Sequence, residues 1–366
     1  MSENTGETDS WTLDWPTSRG HRVARAELKK CPEDFRVFED LGLPGFPTED
    51  SSADDTTGGE HLCLFLEKTG DNTEYVARQL ALLSGCRHFD VGFCGLKDRH
   101  AVTRQWFSIY RPGMEAGDEA FIQQVAERWL VISRTRSSRK LRRGDHRGNR
   151  FEITLRRVQG SAMDIDRALS ELKMSGAPNY FGPQRFGHHG ANLDRALTID
   201  PSKLNRGGRK GGKKRGGGRS GSGSQDSKNV LYFSAARSWL FNEVLGRRVA
   251  AGNWRQAIDG EPGSGPDSEL VVTGPLWGDG GTEAVSEQGA FEREVVAENP
   301  RLEALFSVTR MKPERRPLIA IPEQLHWQWL EDDNLSVSFW LAPGQYATTL
   351  LADIFELHEG AKDPEQ

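Results

Sequence analysis

Long hydrophobic runs are missing from this 366-residue chain. No apolar stretch approaches the roughly 20 residues that span a bilayer, and no charged, then apolar, then small-residue signal opens it. A soluble, cytoplasmic protein is expected. Cysteine is scarce as well. Cys31, Cys63, Cys86 and Cys94 include no Cys-x-x-Cys pair, which argues against both a disulfide framework and a zinc site. His188 and His189 have no partners at metal-ligand spacing, so they read as polar loop residues and no metal is expected. Nor does an Asp/Glu pair or a His cluster stand out, which counts against a glycoside hydrolase and a metal-dependent nuclease.

What the chain does have is charge sorted by position. The formal net charge is only −5, yet residues 1–60 carry 14 acids against 6 Lys or Arg, and residues 259–303 carry 11 against 2. Arg128 to Arg157 reverses this, with 11 Lys or Arg against Asp145 and Glu152 alone, and Lys203 to Arg219 holds 8 with no acid. A solvated charged face is the plain explanation. So strong a local excess favours a polyphosphate partner, whose binding weakens with salt. The length accommodates two domains, each with its own core.

The organising stretch is Gly92 to Ile109. Its glycine-spaced apolar start reads as a buried strand, Lys97 to His100 as a tight exposed loop, and Val102 to Ile109 as a returning strand. Lys97 and Arg99 flank Asp98 and favour its ionised form, so this carboxylate is suited to act as a nucleophile or a base. By itself the same pattern also describes a solvated loop with a local ion pair.

Around it, helical spacing marks residues 72–85, 119–130, 164–176, 231–252 and 288–299, together with a final helix carrying Ala347, Leu350, Leu351, Ile354 and Phe355. Strand alternation marks Phe151, Ile153 and Leu155, with Asn149 at the lip, and Leu335, Val337 and Phe339. Residues 1–20 read as a loose tail that docks through its tryptophans, and residues 202–228 as a disordered basic arm of Gly, Ser, Lys and Arg.

The wording of the motifs adds a family. Pro32-Glu33-Asp34-Phe35-Arg36-Val37-Phe38-Glu39, Lys68-Thr69-Gly70-Asp71-Asn72-Thr73, Gly95-Leu96-Lys97-Asp98-Arg99-His100-Ala101-Val102-Thr103, Gly148-Asn149-Arg150-Phe151 and Pro178-Asn179-Tyr180-Phe181-Gly182-Pro183-Gln184-Arg185-Phe186-Gly187 occur in that order. Together they resemble the TruD family of pseudouridine synthases over roughly residues 28–355. The closing Ala342-Pro343-Gly344-Gln345-Tyr346-Ala347-Thr348 block is similar to the family's, with its turn rearranged.

The resemblance implies an α+β fold: a discontinuous catalytic domain with a mixed, largely antiparallel sheet (21–176 plus 313–358), interrupted by a family-specific α/β insertion domain (177–312). It implies isomerisation of uridine to pseudouridine in tRNA, at position 13 of the D-arm, with Asp98 as the catalytic residue. Phe151 is then the aromatic that stacks on the target base, Asn149 orients active-site groups and Lys29 is the basic residue near the site. Phe339 is a wall of the pocket. Arg185 sits in a Gly-interrupted aromatic loop suited to domain packing or to holding a phosphate, and basic residues from Arg134 to Arg150 grip the RNA by shape and phosphate contacts. Isomerisation gains no electrons or atoms, so no cofactor is expected, and the chain is expected to act as a monomer. A non-catalytic RNA-binding protein would use the same basic and aromatic residues and is the competing reading.

Overall fold

The computed structural model describes residues 11–46, 58–200, 222–262, 271–309 and 311–359. They divide into two compact units. The sheet unit comprises Arg22–Gly176, Ile321–Ala347 and Ile354–Gln366; the helical unit comprises Met1–His21, Ala177–Ala320 and Thr348–Asp353.

The sheet unit begins with β1 (Ala24–Leu28), β2 (Phe35–Asp40) and β3 (His61–Lys68). Helix α1 (Thr73–Ser84) follows. The Asn72 side chain accepts from Tyr75 N–H at its start, and Gly85, at φ 72°, closes it in the left-handed conformation that favours glycine. Next come β4 (Val91–Gly92), β5 (Val102–Tyr110), α2 (Asp118–Ala126), β6 (Leu130–Ser137), β7 (Gly148–Gly160) and α3 (Ala162–Ser175). The strand expected from Gly92 onward is thus only two residues long. The rest of that run is a loop.

The helical unit contains β8 (Ala177–Pro178), α4 (Ala191–Thr198), α5 (Ser222–Ala250), β9 (Thr273–Leu276), α6 (Ser286–Ala297), α7 (Pro300–Thr309), β10 (Glu314–Pro317) and β11 (Ile319–Ala320). Its core is built around α5, which is buried on every side from Ala235 to Asn242 and again at Phe233, Val244 and Leu245. Two expectations change here. Residues 222–228, assigned by composition to a disordered arm, are the first turns of α5, since extending a helix costs far less than nucleating one. The remainder of that arm lies outside the described residues.

Residues 11–20 dock through their tryptophans, as expected, and are held rather than loose. The Trp11 ring meets Trp239 edge-on at 5.1 Å, Trp15 stacks on Tyr180 at 5.9 Å, and the Trp15 Nε1–H donates to Glu243 Oε1 at 2.8 Å. Ser18 then donates its N–H and its hydroxyl to Asp353 at 2.7 and 2.5 Å.

The chain returns to the sheet unit through β12 (Glu323–Trp329) and β13 (Leu335–Leu341). After the short α8 (Ala347–Ala352), it finishes in β14 (Phe355–Glu359). Phe355, expected on a final helix, instead pairs with Ala24 in a parallel β1–β14 ladder. The ten-stranded sheet runs β12-β13-β7-β2-β5-β3-β6, with β4 on β5 and β1 bridging β7 and β14. Among the described residues only β2–β5 and β1–β14 pair in parallel. The fold is therefore α+β with a mixed, largely antiparallel sheet. Helices α1 and α2 cover one face over Leu62, Leu64, Leu66, Phe107 and Ile109. The other face buries Cys63, Phe65, Trp106 and Leu141.

Candidate active site

Register decides which side chains meet. In the antiparallel ladders Phe339 pairs with Phe151 and Phe151 with Val37, while Leu341 pairs with Asn149 and Asn149 with Glu39. Cross-strand partners share a face. One side of the sheet thus carries an aromatic row next to a polar row, beside the loop that leads from β4 into β5.

That loop is fixed at four points. Gly144 N–H donates to Cys94 O at 2.9 Å, and Gln105 Nε2–H to Gly95 O at 2.6 Å. Lys97 N–H donates to Thr73 Oγ1 at 2.9 Å, and Gly70 N–H to Arg99 O at 3.0 Å. Thr73 Oγ1 in turn donates to Gln105 Oε1 at 2.9 Å.

The cations that flank Asp98 in sequence do not pair with it in space. Lys97 turns inward to a fully buried Glu39, with Nζ 2.9 Å from Oε2, and Arg99 Nε lies 3.0 Å from His100 Nε2. Asp98 is held instead by Lys29, whose Nζ donates to Oδ2 at 2.6 Å, and by the His100 N–H, which donates to Oδ1 at 3.0 Å. Lys97 is buried, while Leu96 before it and Asp98 and Arg99 after it are exposed. Partial burial works against the Asp98 charge. The Lys29 and His100 hydrogen bonds outweigh it, and the carboxyl titrates below the ordinary Asp range. Its side chain keeps 40 % of its surface exposed.

Lys29 leaves β1 at φ 57°, a left-handed conformation uncommon outside glycine. Its ammonium sits 4.4 Å from the centroid of the Phe35 ring. The Phe35 ring meets Phe151 edge-on at 6.1 Å, and Phe151 stacks on Phe339 at 5.6 Å with 29° between the planes. Asp98, Lys29, Phe151 and Phe339 therefore form one continuous constellation through Phe35, which sequence reasoning left without a role. Phe151 retains 8 % of its surface and Phe339 only 1 %. Asn149 presents a buried Oδ1 with no hydrogen-bond partner among the described residues. A lone buried acceptor is costly and is relieved by a ligand donor.

Two further groups were missed. Burial foremost, with Lys97 adding to it, lowers the buried Lys68 ammonium from its ordinary 10.5 to about 8, even though Asp71 and Asp98 oppose the change. His146 is pushed down for the same two reasons. Lys68 stood inside a quoted motif, but its burial depends on the register of β3 against β5. Arg185 does not join this group. It lies in the helical unit, donating to Ser234 Oγ at 2.6 Å and Ser238 Oγ at 3.4 Å.

The basic segment is largely neutralised by distant acids. Arg136 is buried against Asp118 at 2.6 Å, Arg147 meets Asp40 at 3.0 Å and Arg156 meets Asp34 at 2.6 Å. Arg139, Arg143, Arg147 and Arg150 stay about half exposed or more. Exposed ion pairs of that kind are worth little and exchange readily for phosphate.

Comparison with known proteins places this geometry. The family model for tRNA pseudouridine synthase D (TruD) matches residues 20–193. Across 96 % of its length the chain is 58 % identical to tRNA pseudouridine synthase D of Marinobacter nauticus, covering 97 % of that relative. The chain belongs to the TruD family. It is also 36 % identical to tRNA pseudouridine synthase D of Xanthomonas euvesicatoria, over 95 % of this chain and 96 % of that one. The crystal structure of a TruD protein from Methanosarcina mazei superposes with a TM-score of 0.60 at 19 % identity, covering 94 % of this chain and 96 % of its own, and so shares the fold. The segment matched by the TruD model holds Lys29, Asp98, Asn149 and Phe151, while Phe339 reaches the constellation from a strand beyond it.

Proposed function

We propose that this chain isomerises uridine to pseudouridine in tRNA, at position 13 of the D-arm, with Asp98 as the catalytic carboxylate. The reaction breaks the C1′–N1 glycosidic bond, turns the uracil and joins C5 to C1′. The proton lost from C5 is balanced by one gained at N1, so atoms and electrons are conserved and no cofactor is needed. The observation that carries this reading is an ionised, part-exposed Asp98 on a loop fixed at four points, with an aromatic row ending at Lys29 beside it.

Asp98 acts either by attacking C1′, forming a sugar ester, or by taking a C2′ proton to form a glycal. Both routes need the anion, and the Lys29 and His100 hydrogen bonds maintain it at neutral pH. A uracil turned out of its stack rests against Phe151, whose other neighbours Phe35 and Phe339 brace it. The unpartnered Asn149 Oδ1 accepts from the uracil N3–H. Arg139, Arg143, Arg147 and Arg150 meet phosphates, and Arg185 shapes the loop that carries it. The protein works in the cytoplasm as a monomer, without a metal.

The test is incubation of uridine-labelled tRNA with wild type, Asp98→Ala and Asp98→Asn, followed by chemical mapping of pseudouridine. Product is expected from wild type alone, with tRNA affinity unchanged in the variants. Product from either variant removes Asp98 from the chemistry. Binding without product from wild type favours a non-catalytic RNA-binding protein.

A further inference from the structure

Leu96 exposes 58 % of its surface although it stands on a loop fixed at four points. Single exposed leucines are common and need no explanation. This one is distinguished by where it points and by what holds it.

The backbone from Leu96 to Asp98 has no turn or bend. Lys97 is buried against Glu39, whereas Leu96 before it and Asp98 after it are both exposed, so these two side chains project to the solvent side together. Gly95 is fixed by Gln105 and Lys97 N–H by Thr73, so the position of Leu96 relative to the Asp98 carboxylate is set by the framework and not by a mobile loop. Two residues of chain span at most about 7 Å, so Leu96 stays within reach of the neighbours of a nucleotide held at Asp98.

Turning a uridine out of a stack leaves a hole whose collapse drives the base back in. Unstacking costs a few kcal/mol, and proteins that hold nucleic acid open place an apolar side chain in the gap. We infer that Leu96 is the wedge that enters the RNA stack when the target uridine is turned out toward Asp98. Leu96 does no chemistry in this scheme; it is a positioning residue acting on the substrate. The inference rests on the proposed function for its substrate, and its test reads RNA conformation separately from product.

The experiment uses tRNA carrying 2-aminopurine next to the target uridine, a base that brightens when it loses its stacking partner. In the Asp98→Asn background, saturating protein is expected to raise the fluorescence. In Asp98→Asn/Leu96→Ala the ratio of flipped-out to stacked uridine read from that rise is expected to fall at least about tenfold, the equilibrium change that a loss of about 1.4 kcal/mol produces. tRNA affinity should stay within about threefold, a small effect on this scale. In the active enzyme, Leu96→Ala should lower kcat with KM little changed, and Leu96→Met should restore it. An equal fluorescence rise in both backgrounds, or full kcat in Leu96→Ala, overturns the wedge. A Leu96-dependent rise with no pseudouridine from wild type keeps the wedge and removes the proposed reaction.

Discussion

Lys29 and Asp98 are 69 residues apart in sequence and 2.6 Å apart in space. This contact favours the ionised form on which the proposed chemistry depends. Burial raises the carboxyl, and the Lys29 hydrogen bond and charge together with the His100 N–H bring it below the ordinary range. Lys29→Met removes the principal opposing interaction and leaves the burial in place. The acid limb of the kcat/KM profile should therefore move upward. Profiles for wild type and Lys29→Met, run from below the ordinary Asp range up to neutral pH, check it. An unmoved limb would mean that Asp98 does not control the rate.

Glu39 and Lys97 form a buried pair whose two ends serve different purposes. One Glu39 oxygen holds Lys97 at 2.9 Å and the other accepts the Trp106 N–H at 3.1 Å, tying the loop to the sheet. Glu39→Gln leaves an ammonium buried without a counter-charge. A loss of roughly 3–5 kcal/mol is expected from breaking such a pair on one side only. The double variant Glu39→Gln/Lys97→Met should recover much of it. Urea midpoints of the two single variants and the double variant give the coupling, and strict additivity would argue that the pair carries no energy.

Much of this fold was legible because the sequence repeats at the period of the element it forms. Helix α3 buries Ile165, Ala168, Leu169 and Leu172, the residues its spacing selects, and β13 buries every second residue from Leu335 to Leu341. Reading failed where partners lie far along the chain or where a local signal was ambiguous. Strand β12 shows little buried alternation because it is at the end of the sheet. Helix α7 begins at Pro300, which reads as a stop but is well tolerated at a first helical position. Phe355 fits a helical spacing, yet the parallel ladder with β1 claims it.

The site shows the same division. Asp98, Lys29 and Phe151 were legible in short motifs. The true partner of Asp98 and the inward turn of Lys97 were not, because each depends on a register between distant segments.

Phe151 and Phe339 stack on each other, but they should respond differently to the same change. Phe151 keeps some exposed surface and is the ring assigned to the uracil, while Phe339 is almost wholly enclosed behind it. Phe151→Leu should lower kcat/KM by roughly 10- to 100-fold, the cost of losing a base–aromatic stack. Its effect on melting temperature should be smaller than that of Phe339→Leu, which loses packing on every side. Steady-state kinetics and thermal melts of both variants make the comparison. Equal kinetic losses from the two would contradict the assignment of the base to Phe151.

Lys68 gives a prediction for stability with a definite sign. Burial foremost, then Lys97, lowers its ammonium from 10.5 to about 8 in the folded protein, against the pull of Asp71 and Asp98. Below about pH 8 both the folded and the unfolded chain carry the proton, and the folded state bears the whole penalty of burying it. Between about 8 and 10.5 the unfolded chain still binds a proton that the folded chain has released. Stability from this group therefore rises with pH across that window. Lys68→Met deletes the titration, along with the hydrogen bond that Lys68 Nζ donates to Asp71 O at 2.8 Å. That bond is lost at every pH, so it offsets the comparison by a constant. Wild type should gain melting temperature relative to Lys68→Met as pH rises from about 7.5 to 9.5, an interval that brackets the folded-state titration. A constant difference across that range would mean that the ammonium is not penalised by its surroundings.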